Sequence, residues 1–111
     1  MGLGLQAPAA VPIEVRASQR RVFRLSLAIG EEGVRLERPA PFELGERVEI
    51  RLAVPDGESL TLRATVEAVD DEDERGGKGG RALRFIEAPY EARRALHGYV
   101  ARRLGLPQPQ G

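Results

Sequence analysis

From Val11 to Phe85 the chain repeats with a period of two. Val11, Ile13 and Val15 alternate with Pro12, Glu14 and Arg16, and Phe23, Leu25, Leu27 and Ile29 alternate with Arg24, Ser26 and Ala28. Val34 and Leu36 flank Arg35, and Val48, Ile50, Leu52 and Val54 alternate with Glu49, Arg51 and Ala53. Leu60, Leu62, Ala64 and Val66 alternate with Thr61, Arg63 and Thr65, and Leu83 and Phe85 close the series. Successive side chains of a strand point to opposite faces, so strict alternation means one buried face and one in water. That is the pattern of antiparallel sheet. It places Phe23 and Phe85 in the core.

Turn chemistry separates these runs. Gly30 and Gly33 flank Glu31-Glu32, Pro39-Ala40-Pro41 ends the third run, and Pro55-Asp56-Gly57 joins the fourth to the fifth. Six short strands at this spacing suggest a barrel or sandwich, and closure is favoured because it removes the sheet edges of a small domain. The period then changes. Ala92, Leu96, Tyr99, Val100 and Leu104 share one helical face, with Pro89 before it and Gly105 and Pro107 after it. The expected fold is mainly β, a six-stranded antiparallel barrel with a C-terminal α-helix that packs on the barrel or covers one mouth. Residues 1–10 are expected to be a flexible segment, 11–104 the barrel and helix, and 105–111 a short tail. The acidic, glycine-rich stretch from Asp70 to Gly80 reads as a mobile loop.

Charge and composition narrow the functions. Seventeen basic residues balance seventeen acidic ones in 111 residues. A binder of nucleic-acid polymers usually carries excess positive charge, which this chain lacks. No apolar run approaches the ~20 residues that span a bilayer, so no membrane insertion is expected. The first ten residues lack the basic and apolar regions of a signal peptide. With no cysteine, disulfides and thiolate chemistry are excluded, and a cytoplasmic location is expected.

No catalytic or metal constellation emerges. The lone histidine, His97, falls in the helix with no further ligand spaced to join it. Ser18, Ser26 and Ser59 have no evident base. The acidic loop lacks the ordered alternation of a calcium loop, and Gly76-Gly77-Lys78-Gly79 fails the spacing of a phosphate loop. A base-stacking surface needs exposed aromatics, and only Phe42 and Tyr90 lie outside the expected core. No enzymatic activity and no metal are expected.

The basic residues Arg16, Arg20, Arg21 and Arg24 have more content, since no acid separates Arg16 from Arg24. Guanidinium groups present a planar fork of donors that suits phosphates. The other reading makes Arg16 and Arg24 the solvated faces of two paired strands, with Ser18-Gln19-Arg20 as the turn.

The run Leu27-Ala28-Ile29-Gly30-Glu31-Glu32-Gly33-Val34-Arg35-Leu36 resembles a PilZ domain. So do Pro41 to Gly45, Arg47 to Leu52, Pro55-Asp56-Gly57, and Gly80 to Phe85 before an arginine-rich helix. The resemblance covers residues 11–104 and implies a six-stranded barrel with a C-terminal helix in a bacterial signalling role. PilZ domains are receptors for cyclic di-GMP, bound by an RxxxR motif before the first strand and a [D/N]xSxxG motif after the second. Aligning Gly33 with the last glycine puts Gly30 at the serine and Ala28 at the Asp or Asn. Each lost hydrogen bond costs on the order of 1 kcal/mol. Met1 to Ala10, where RxxxR belongs, holds no arginine. Arg20 to Arg24 fits the letters but lies on the first hairpin. The resemblance therefore implies a degenerate signalling or adaptor domain acting through protein contacts, with weak or no cyclic di-GMP binding and no cofactor. Its partner would be a signalling or motility protein, or a second copy. The alternative is a cyclic di-GMP receptor that uses Arg16, Arg20, Arg21 and Arg24 with Gly33.

Overall fold

The alternating runs form the walls of a closed barrel. The computed structural model describes residues 4–55, 57–67 and 81–105. Its strands are β1 (Gln6–Pro8), β2 (Pro12–Ala17), β3 (Arg20–Gly30), β4 (Gly33–Leu36), β5 (Arg47–Ala53), β6 (Ser59–Glu67) and β7 (Ala82–Ile86), followed by the helix α1 (Tyr90–Leu104). The strands β3, β2, β5, β6, β7 and β4 pair in that order, and a β3–β4 pairing closes the ring. All pairings are antiparallel. The interior is filled by Ile13, Val15, Ile29, Val34, Leu36, Ile50, Leu52, Val66 and Leu83, all essentially inaccessible to solvent. Burying each of these side chains contributes roughly 1.5–3 kcal/mol, which is why the alternation in β2, β5 and β6 translates directly into fold.

Two expectations need correction. The first concerns the face of β3. Phe23, Leu25 and Leu27 lie outside the barrel, and only Ile29 of that set points in. The inward residues before the bend are Val22, Arg24 and Ser26, with Ser26 almost fully buried. The register against β4 shifts between Ser26 and Ala28, so Leu27 is the extra residue of a β-bulge. A one-residue shift moves every later side chain to the other face, and so Ile29 enters the core.

The buried serine is satisfied by the segment that joins β1 to β2. The Val11 N–H donates to Ser26 Oγ at 3.0 Å, and the hydroxyl donates to the Ala9 carbonyl. Burying this hydroxyl is tolerable because both of these bonds are made.

The second correction concerns residues 1–10. Gln6–Pro8 are not a loose lead-in but a strand paired with the end of β3, and Ala7 is fully buried. Small residues allow the segment to lie close against β3. The first turn is also tighter than expected: Ser18 and Gln19 form it, with Ser18 at φ 53°, while Arg20 already pairs with Ala17.

The helix packs on its own barrel, against β1 and β3. Ala92, Leu96, Tyr99, Val100 and Ala101 are buried, and Leu104 lies at the margin of that face. Gly105 ends the helix in the left-handed region at φ 68°, its N–H meeting the carbonyls of Ala101 and Arg102. Phe42, within the segment between β4 and β5, is buried, which leaves Phe23 and Tyr90 as the well-exposed aromatics among the described residues. The acidic loop from Asp70 to Gly80 and residues 106–111 of the expected tail lie outside the described residues. Among those that are described, no helix is long and apolar enough to cross a membrane.

Candidate functional site

Ala28 and Gly30 at the end of β3 and Gly33 at the start of β4, the three positions singled out by spacing, flank the turn at Glu31-Glu32. They lie together at one end of the barrel, but a neighbour fills the space beside them. β1 runs antiparallel to β3 with Gln6 opposite Gly30, Ala7 opposite Ile29 and Pro8 opposite Ala28. A Cβ on Gly30 would lie 2.5 Å from the Leu5 carbonyl oxygen and 3.0 Å from Gln6 Cγ. Glycine is thus required here because another stretch of backbone approaches it, a familiar reason for glycine in a strand. A serine in its place has no room for its first side-chain atom.

Several contacts hold the N-terminal segment in that position. Gln6 Nε2 donates to the Gly33 carbonyl at 3.4 Å, and Arg103 Nη2 on α1 donates to the Pro8 carbonyl at 3.1 Å. Beside them His97 Nδ1 lies 2.8 Å from Glu31 Oε2, tying the helix to the turn. Gly33 is buried and pairs with Arg84, whose Nε donates to both carboxylate oxygens of Glu67 at 2.9 and 3.1 Å and whose Nη1 lies 3.6 Å from Glu32. Ala28 pairs with Arg35, whose Nε is buried with no hydrogen-bond partner. A residue with an acceptor at position 28 would stand opposite that guanidinium, whereas alanine offers none.

The arginines of the first hairpin do not converge. Arg16 and Arg21 are cross-strand partners on the outer face, each 3.7 Å from a carboxylate, of Glu49 and Glu14 respectively. Arg20 and Arg24 belong to the opposite phase of β3 and turn toward the segment between β4 and β5. Arg20 Nη1 donates to the Pro41 carbonyl at 2.6 Å, and Arg24 Nε to the Pro39 carbonyl at 3.0 Å. The spacing of four does bring Arg20 and Arg24 to one place, but they hold carbonyls of the chain itself. Arg24 is half-buried and pairs with Ile13, so it is not part of a solvated face. The hairpin also lies far from Gly33, since ten strand steps from Arg20 to Gly30 cover roughly 33 Å.

Residue spacing does not reveal Leu5 and Gln6, which occupy the space beside Gly30, or the Glu31–His97 contact. Gly30 itself was the available signal, because glycine within a strand often marks close backbone approach. Nor does spacing reveal the outward position of Phe23, Leu25 and Leu27, for which alternation alone has no signal.

A closed six-stranded antiparallel barrel with a C-terminal helix is the PilZ architecture, and the PilZ domain family model matches residues 7–102. The chain belongs to the PilZ family. Among solved structures it is similar to the Bacillus subtilis inhibitor of motility MotI/DgrA, with a TM-score of 0.73 and 20% identity over 90% of this chain and 49% of that one. The chain therefore spans about half the length of MotI/DgrA. It is also similar to the PilZ domain of CeSA from a cellulose-synthesizing bacterium, with a TM-score of 0.60 and 21% identity over 90% and 95% of the two chains. At these identities the likeness concerns fold. No curated protein matches the chain in sequence. PilZ domains are generally binding modules without catalysis, many of them receptors for cyclic di-GMP. In this PilZ domain Gly30 is backed by the Leu5 carbonyl, which leaves no room there for a side chain.

Proposed function

We propose that this PilZ domain is a non-enzymatic signalling adaptor that works through protein contacts and binds cyclic di-GMP weakly or not at all. The observation that carries the reading is the Leu5 carbonyl, 2.5 Å from where the Cβ of a serine at position 30 would stand. A ligand seeking the family's face meets a paired strand of the chain itself. Ala28 offers no acceptor, and the hairpin arginines are divided between two faces, with Arg20 and Arg24 engaged on the carbonyls of Pro41 and Pro39. Displacing β1 would cost its ladder with β3 and the burial of Ala7 before any contact with a nucleotide was gained.

Calorimetric titration of the full chain with cyclic di-GMP tests this directly. No saturable heat is expected with tens of micromolar protein. Binding in the low-micromolar range or tighter, about −8 kcal/mol, would overturn the reading. If binding did occur, loss of affinity in Arg20→Ala and Arg24→Ala would assign it to the hairpin.

A further inference from the structure

The outer wall of the barrel carries an apolar row that folding does not explain. Phe23, Leu25 and Leu27 project from β3 with exposures of 61, 45 and 43%. Pro12, also exposed, is the cross-strand neighbour of Leu25. Together they form a contiguous surface on the order of 300 Å², the size at which exposed apolar area on a monomer begins to mark interaction sites. The equivalent outward positions of β5 are Arg47, Glu49, Arg51 and Ala53, so the row is confined to one side of the barrel.

We propose that this row is the docking face for one amphipathic helix of a partner protein, with acidic residues beside its apolar stripe. The proposal rests on the adaptor reading above and names the surface through which it acts. Length supports a helix. Four strand steps from Phe23 to Leu27 cover about 13 Å, and seven helical steps cover about 10.5 Å. Anchors at i, i+3 or i+4, and i+7 therefore meet all three side chains.

Area favours one helix over a second copy of the chain. A standard protein–protein interface takes about 800 Å² from each partner, well beyond what this row supplies. Charge sets the flank. Arg16 and Arg21 stand together at the hairpin end of the row, with side chains 51 and 64% exposed. Each is ion-paired at 3.7 Å, with Glu49 and Glu14 respectively, and each planar guanidinium keeps further N–H donors toward solvent. The Arg21 guanidinium also lies 5.9 Å from the Phe23 ring centroid, next to the aromatic anchor. Of the acidic neighbours, Glu14 on β2 stands opposite Phe23 with its side chain only 12% exposed, and Glu37, whose N–H bonds the Leu25 carbonyl, lies on the side away from β2.

Two helical peptides of about five turns test the proposal. They share leucines at i, i+4 and i+7, and their polar faces are glutamate in one and lysine in the other. Each is titrated into the isotopically labelled full chain while backbone amide resonances are followed. The glutamate peptide is expected to shift the amides of residues 21–27 saturably and to bind about fivefold tighter than the lysine peptide, the scale of one or two exposed ion pairs. Leu25→Glu should abolish the shifts with an unchanged circular dichroism spectrum, whereas Leu44→Glu, at another exposed leucine, should leave them intact. Three results would overturn the proposal. They are no shifts at residues 21–27, equal binding of both peptides, or concentration-dependent dimerisation that Leu25→Glu abolishes, which would assign the row to a second copy. Nucleotide binding in the calorimetric experiment would remove the adaptor reading without altering this map, so the two failures are distinguishable.

Discussion

Placing a serine at position 30, three residues before Gly33 as the S-x-x-G spacing asks, should damage the protein. In Gly30→Ser the new Cβ would meet the Leu5 carbonyl oxygen at 2.5 Å and Gln6 Cγ at 3.0 Å. Carbon–oxygen contacts between strands ordinarily fall at 3.3–3.6 Å, so β1 must retreat by close to ~1 Å or detach. Overpacking of this kind typically costs about 1–3 kcal/mol. A loss of about 1–3 kcal/mol is expected in urea unfolding followed by circular dichroism. Amide exchange should rise for residues 28–30, which face β1. Deleting residues 1–8 should abolish the penalty. In that background the substitution becomes neutral or stabilising by about 0.5–1 kcal/mol, because it relieves the entropy cost of glycine in a strand. The cycle isolates the contact from other effects of serine. A full-length Gly30→Ser protein within about 0.5 kcal/mol of the parent would refute the close approach, as would an equal penalty in the truncated chain.

Two further substitutions probe how the loops are held. Ser26→Ala leaves the buried Val11 N–H without its acceptor and should cost about 1–3 kcal/mol by thermal unfolding; a loss under about 0.5 kcal/mol would show that the hydroxyl is not the anchor of the β1–β2 link. Arg24→Ala removes a half-exposed charge-assisted bond to the Pro39 carbonyl and should cost about 1 kcal/mol, with faster amide exchange confined to residues 39–46; unchanged exchange there would refute the bracing role.

The barrel was legible wherever alternation had a single reading. In β5 the outward set is Arg47, Glu49, Arg51 and Ala53, and no shift of phase could bury three charges. β6 is similar, and the change to helical spacing at Ala92 marked α1 as plainly. β3 was legible as a strand but not as a face. Its apolar set, Phe23, Leu25 and Leu27, competes with an inward set containing an arginine and a serine, and the serine is buried only because Val11 and Ala9 complete its hydrogen bonds. Those partners lie fifteen or more residues away in sequence, beyond the reach of any local pattern. A three-residue strand such as β1 carries too little pattern to register at all.

The same contrast governs the candidate site. Ala28 and Gly30 could be read as departures from the signature, because motif positions depend only on spacing. What stands in the vacated volume depends on a segment whose own composition is small and featureless. Barrel shape rests on more than a score of buried apolar positions, and neither Ala28 nor Gly30 is among the side chains that fill it. Glycine at position 30 lets a neighbouring backbone close on it, with the Leu5 carbonyl oxygen 2.5 Å from where a Cβ would stand. Scaffold and candidate site therefore have separate physical requirements: the barrel follows from its buried positions, whereas the approach of β1 to Gly30 is a backbone contact that spacing alone does not encode.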